Sequence, residues 1–411
     1  MLWLTVRIEP YRRVLALPGV RALLPVMFLA RIPATATSMV LTLHVVLTLH
    51  HGYGAAGFVG AVATIGLALG SPLMGRLVDT LGLRPMLVIT TIGEAAFWVS
   101  AWTLPYPGLL ATALFGGVLA MPAMSVGRQA LAALVPLEQR RTAYSLDSIS
   151  VEITYMAGPA LAVLLATQVS TSAGMIALGG AVVLAGSTLY VVNPPMRAEH
   201  EAAELSPPRR TWLGPAMFGT FVTGTGALVV LVGTEVTVVA ALRGVGQVEW
   251  TGAVTIVICV ASATGGIVYG GMRRSVTPAA LAALMGLLLV PVGLAAAAPW
   301  WLLALILVPT NLLCAPTLTA INDTIARIAP AAARGEAIGW GASAFTLGAA
   351  AGGPLIGVVV DRAGAGWGFA AAGIGGVVLA AVASALSRAG SPASPPGTVA
   401  RVGADSEADA D

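Results

Sequence analysis

The sequence predicts an all-α membrane protein of twelve transmembrane helices, arranged as two pseudo-symmetric six-helix bundles. Three observations predict it. Of 411 residues, 57% are hydrophobic and 9% are charged, about a third of the charged fraction of an ordinary soluble domain. Apolar runs of about 20 residues, the length that spans a hydrocarbon core, follow one another along the chain. One polar stretch, NPPMRAEHEAAELSPPRR at 193–210, divides those runs into two sets of six.

The runs lie at 22–49, 54–78, 85–104, 108–135, 143–166 and 172–192, then at 214–241, 249–271, 277–298, 301–326, 337–360 and 366–387. They lack the two-residue alternation of barrel strands, so helices remain as the way to satisfy backbone hydrogen bonds in lipid. The expected organisation is a cytoplasmic N-terminal segment at 1–21, a first bundle at 22–192, a cytoplasmic linker at 193–213, a second bundle at 214–387 and a disordered cytoplasmic tail at 388–411. No small-residue cleavage site precedes the first span, so no cleaved signal peptide is expected.

Arginine supplies all 21 basic side chains. With the N-terminus in the cytoplasm, seventeen fall on the inner side, only Arg243 and Arg362 fall outside, and Arg31 and Arg128 lie within spans. The positive-inside rule therefore expects a multi-pass protein of the cell membrane with both termini cytoplasmic. Trp102, Trp250, Trp300, Trp301 and Trp367 then mark outer span ends, with Trp3 and Trp212 near the inner surface. The net charge of +3 is topology, and no nucleic-acid partner is implied. Cys259 and Cys314 fall inside spans and read as small core hydrophobes, not as a disulfide or metal pair.

The two sets look like copies. At an offset of 194, Pro122, Pro136, Arg140 and Ala143 meet Pro316, Pro330, Arg334 and Ala337. Two six-span repeats in one chain point to a transporter. A second echo joins GSPLMGRLVDTLG, residues 70–82, to GGPLIGVVVDRAG, residues 352–364, at opposite membrane faces.

GRLVDTLGLRP, residues 75–85, resembles the loop motif between the second and third spans of the major facilitator superfamily, through Gly75, Asp79, Gly82 and Arg84. GRQALAALVP at 127–136, followed by RRTAYSLDS, is similar to the fourth and fifth spans of exporter-like members. The resemblance implies that fold, with the second span beside the eleventh and the fifth beside the eighth. It implies that Asp79, beside Arg84 and Arg128, forms a lock when the cytoplasmic side is closed; the alternative is a solvated loop acid. Asp361, at the outer end of the eleventh span, reads as solvated.

Ionisable residues inside a membrane default to functional hypotheses. The first span carries Arg31, Thr35, Ser38 and Thr42 on one helical face. The fifth carries Ser145, Ser148, Glu152 and Tyr155 on one face, with Asp147 about 140° around from Glu152. Arg31 and Glu152 share an estimated depth of ~13 Å, which makes an ion pair between them the expectation. Glu94 reads either as a further proton site or as an acid protonated or satisfied by a neighbouring helix, and Glu235 as a residue that could face the central cavity. Asn311, with Thr35, Ser38, Thr42 and Tyr155, is a cavity-lining candidate. Asp323 and Arg327 read as a local pair, and His44, His50 and His51 as a solvated rim.

A chain without lysine carries no phosphate-binding loop of the standard kind and no Schiff base, so energy must come from a gradient. The expected protein is a monomeric carrier rather than an enzyme, with a small-molecule cargo, protons and the lipid bilayer as partners and no cofactor or metal. The resemblance favours a proton-coupled antiporter exporting a small amphipathic compound by alternating access. An uptake symporter, or a membrane sensor or scaffold that does not transport, are the rival expectations.

Overall fold

The computed structural model describes residues 8–197, 208–272 and 276–389. Of the sequence expectations, Trp3 and Arg7, the middle of the linker, Arg273 and Arg274, and the tail from residue 390 lie outside the described residues. The described residues form helices joined by short turns, and eleven of these helical segments are long and apolar enough to cross a membrane. A short amphipathic helix, α1 (Ile8–Ala16), precedes them.

The first half runs α2 (Val20–Leu43, extended by a π-helical turn at His44–Thr48), α3 (Tyr53–Leu81), α4 (Leu83–Ala101), α5 (Tyr106–Val118), α6 (Ala123–Leu134), α7 (Arg140–Gln168) and α8 (Thr171–Val192). The second runs α9 (Pro215–Gly244), α10 (Thr251–Gly271), α11 (Pro278–Leu289), α12 (Trp300–Asn311), α13 (Cys314–Ile328), α14 (Arg334–Ala363) and α15 (Ala365–Ala389). The fourth and tenth apolar runs are each two helices, broken at 119–122, where Pro122 precedes α6, and at 312–313, a nearly matching place in the repeat.

Packing repeats along with the sequence. In the first half α2 lies on α7, α3 on α5 and α4 on α8; in the second, α9 lies on α14, α10 on α12 and α11 on α15. One joint recurs in atomic detail. Thr35 Oγ1 donates to the Thr154 carbonyl (2.9 Å), and Thr225 Oγ1 donates to the Ala344 carbonyl (3.0 Å). Gly158 and Gly348 face these joints, where a Cβ would strike Thr35 or Thr225. Small residues let the backbones touch in a solvent that offers no hydrophobic drive between helices.

The echoed text makes one local structure twice. Pro72 and Pro354 sit inside α3 and α14, and Gly82 and Gly364 end those helices with φ of 90° and 87°. That left-handed conformation suits glycine and turns the chain at once into the next helix.

The apolar cores mostly respect the halves. One cluster, including Met217, Leu242, Met285, Ile321 and Phe369, lies in the second half. Two more stack in the first half, and Ala326 of α13 joins the one nearer the N-terminal face. Trp212 is buried rather than interfacial, because it packs into the second half's core, whereas Trp250 and Trp300 stack with centroids 4.5 Å apart at the opposite face.

Candidate transport site and gate

Arg31 reaches Asp147, not Glu152. Its Nη1 donates to Asp147 Oδ1 at 2.6 Å, and the side chains are 0% and 3% exposed. The expected Arg31 and Glu152 pair is corrected by two features of helix geometry. Side chains lean toward a helix's N-terminus, which drops the Arg31 guanidinium toward the N-terminal face. The ~140° between Asp147 and Glu152 points the first at α2 and the second away from it. Gly127 of α6 leaves room for the guanidinium, since a Cβ there would strike Nη2. Among the described residues, Nε and Nη2 of Arg31 have no hydrogen-bond partner.

Glu152 faces the other half. Its Oε1 accepts from Ser262 Oγ of α10 at 2.7 Å, and the Cys314 thiol of α13 approaches at 3.9 Å. Cys259 also borders it. The cysteines are therefore part of this carboxylate's wall, besides filling core volume. Among the described residues no cation pairs with Glu152, and Glu235 of α9 lies within electrostatic range of it.

Tyr155, one turn beyond Glu152, is 59% exposed and senses Arg128, Glu235, Glu152 and Arg31 electrostatically. Glu235 and Ser38 are exposed, and Thr42 is half-buried. Tyr155 and Glu235 thus form, with Glu152, a polar cluster between the halves on the side away from the N-terminal face. Asn311 is not part of it: it is buried and donates to the Leu307 carbonyl of its own helix (2.9 Å).

On the N-terminal side of Glu152 the halves are bonded shut. Along the seam of α7 and α10, Thr142 Oγ1 donates to the Gly270 carbonyl (2.7 Å) and Ser145 Oγ to the Gly266 carbonyl. Ser148 Oγ meets Thr319 Oγ1 of α13 at 3.1 Å. Along the seam of α3 and α14, Ser343 Oγ donates to the Ala68 carbonyl (2.6 Å), and Gly75 abuts the Gly335 backbone with no space for a Cβ.

Asp79 completes this closure with partners other than the expected ones. Its Oδ1 accepts from the Gly335 amide (3.1 Å) and from Gln129 Nε2 (3.0 Å), and its Oδ2 accepts from the Glu336 amide (2.7 Å). These amides open α14, which has no side-chain cap of its own. A carboxylate from the other half thus caps the helix and meets the positive end of its dipole. Arg84 starts α4 beyond the Gly82 turn and lies over the Tyr190 ring, its Nε donating to the Tyr190 carbonyl (3.3 Å). Arg128, one helical position from Gln129, lies over Phe345 at 5.6 Å and within electrostatic range of Tyr155.

The linker ends reinforce the cap. Arg197 Nη2 donates to the Asp79 carbonyl (2.5 Å) and the Ala332 carbonyl (3.3 Å), and Arg209 pairs with Glu336 at 2.6 Å. Sequence reasoning missed Gln129, Ser262, Arg197, Arg209 and Glu336. Only Ser262, the one serine of its apolar run, and Glu336, an acid at a helix start, carried a local signal.

Glu94, His44 and Asp323 bond within their own halves. Glu94 is buried and accepts from the Met121 amide at 2.9 Å, which the break between α5 and α6 sets free. His44 is fully buried, its Nδ1 3.4 Å from Thr171 Oγ1, so it is not part of a solvated rim; the π-helical turn rotates it against α8. Asp323 and Arg327 form the local pair (2.9 Å), and Asp361 is exposed. Among the described residues no three His, Cys, Asp or Glu side chains are placed to hold a metal ion.

The model of the Major Facilitator Superfamily matches residues 23–308. A comparison of the sequence with curated proteins gives no match. Among solved structures, the human organic anion transporter TETRAN is similar with a TM-score of 0.69 at 17% identity, over 89% of this chain and 100% of that one. The proton:xylose symporter XylE is similar with a TM-score of 0.68 at 16% identity, over 88% and 94%. A bacterial homologue of the iron transporter ferroportin, in its outward-facing state, gives 0.68 at 13% identity, over 91% and 99%.

Proposed function

We propose that this chain, which belongs to the major facilitator superfamily, is a proton-coupled antiporter that exports a small amphipathic compound across the cell membrane. Membership and fold make it a secondary transporter. The orientation, with the N-terminal face in the cytoplasm, is supported by seventeen of 21 arginines on that side. In this orientation the bonded seams close the cytoplasmic side, and the polar cluster around Glu152 faces a cleft that opens outward.

The observation that carries the coupling is Glu152, an acid with no cation partner among the described residues, at the floor of the cleft and hydrogen-bonded across the seam to Ser262. Rocking the halves apart at the N-terminal face removes α10 from α7 and takes that hydroxyl away. Water or cargo then replaces it, and the carboxylate's proton affinity changes with the conformation. A proton taken from outside through the open cleft is released inside, where cargo takes its place. Tyr155 and Phe345 offer apolar surface, and Glu235 and Arg128 polar contacts, for a compound with both characters.

The test is exchange in proteoliposomes. An imposed pH gradient is expected to drive movement of a bound compound, and Glu152→Gln to abolish that drive while binding persists. Equal transport with and without the gradient would remove proton coupling.

A further inference from the structure

Outside the cleft, the most strongly charged feature without a role lies where α1 meets α2. We propose that Arg12 and Arg21 form a site for the phosphate of an anionic phospholipid in the leaflet at the N-terminal face. The two arginines, with Leu15 and Ala16, line a cavity of about 320 Å³.

The local sequence builds it. In α1, Tyr11 and Val14 are buried against the protein, while Arg12 and Arg13 are exposed. Arg12, Leu15 and Ala16 share the flank of the helix next to that buried face. Gly19, with φ of 85°, folds the chain back into α2 and brings Arg21 to the same hollow. Arg13 is taken by Glu9 at 3.0 Å, whereas Arg12 and Arg21 make no ion pair among the described residues.

Two guanidinium forks over a partly apolar floor fit a phosphodiester that continues into glycerol and acyl chains. The depth agrees, because Arg21 stands at the foot of the first membrane-spanning helix, where headgroups lie. A site for a free anion would not need the apolar floor.

Occupancy also acts on the seam. The Tyr11 hydroxyl donates to the Ile267 carbonyl of α10 and fills the space beside Gly270, so α1 bridges the two halves on their closed side. A lipid that holds α1 against α2 steadies that bridge.

The experiment compares melting temperatures of the full chain in nanodiscs of phosphatidylcholine alone or with phosphatidylglycerol added. Phosphatidylglycerol is expected to raise the wild-type melting temperature by several degrees. Arg12→Gln and Arg21→Gln should each lose most of that rise, and Arg388→Gln, an exposed arginine at a helix end on the same face, should keep it. Equal loss in all three variants would mean diffuse attraction to the surface and overturn the site, as would no rise in the wild type. Inorganic phosphate with phosphatidylcholine nanodiscs should give no rise; an equal rise would assign the pocket to a free anion instead.

Discussion

Asp147→Asn tests whether the buried pair is the structural core of the first half. At 2.6 Å and an effective dielectric of about 20, the attraction lost is about 6 kcal/mol, part of which desolvation already offsets. Arg31 then keeps its charge in a fully buried site where Nε and Nη2 have no partner among the described residues. Arg128 loses the same neighbouring anion. Breaking one side of a buried pair costs about 3 to 5 kcal/mol, so thermal unfolding of the purified variant should begin many degrees earlier. The double variant Arg31→Met with Asp147→Asn should recover part of the loss, with a coupling energy of about 2 to 3 kcal/mol. Additive single losses would refute the pairing. Equal coupling between Arg31 and Glu152 would restore the pairing that matched depth alone suggests.

Two further outcomes are expected. Asp79→Asn should weaken the cap on α14 and populate the state open at the N-terminal face, so that spin labels on the facing ends of α3 and α14 move apart; unchanged distances would dismiss Asp79 as a latch. Glu94→Leu should cost about 1 to 3 kcal/mol by orphaning the Met121 amide, whereas Glu94→Gln keeps an acceptor and should be close to wild type; transport lost in a stable Glu94→Gln would show a proton role instead.

The helices were legible because lipid leaves few solutions and the repeat doubles the signal, whereas the pairings of α3 with α14 and α7 with α10 came only with the family resemblance. Apolar length gave the spans but not the breaks inside the fourth and tenth, since apolar residues continue across both. The site was legible only as a set of residues. Arg31, Asp147 and Glu152 are conspicuous as charges, but which pair meets depends on azimuth and side-chain lean, and depth counting ignores both. The motif around Asp79 located a contact between the halves yet misnamed its partners. The amides of Gly335 and Glu336 have no side-chain signature, and Gln129 differs from Arg128 by one position and about 100°. His44 misled because a π-helical turn is invisible to periodicity counted at 3.6 residues.

Where each interaction sits decides which of them transport must break. The strongest charge pair, Arg31 with Asp147, joins α2 to α7 inside one half, so rocking the halves leaves it intact. Across the seams the bonds run mainly from hydroxyls or amides to carbonyls and carboxylates, as at Thr142, Ser145, Ser262, Ser343 and Asp79. Each is worth about 0.5 to 1.5 kcal/mol net, or about 1.5 to 3 where a carboxylate accepts, and water can replace the partner when the seam opens. Residues without Cβ at Gly75 and Gly335 let the same surfaces close again without interlocking. In the proposed transport cycle, rigid halves held by buried charge and seams held by exchangeable hydrogen bonds keep the two states within a few kcal/mol of each other. That is the range in which the protonation of a carboxylate such as Glu152 can tip the balance.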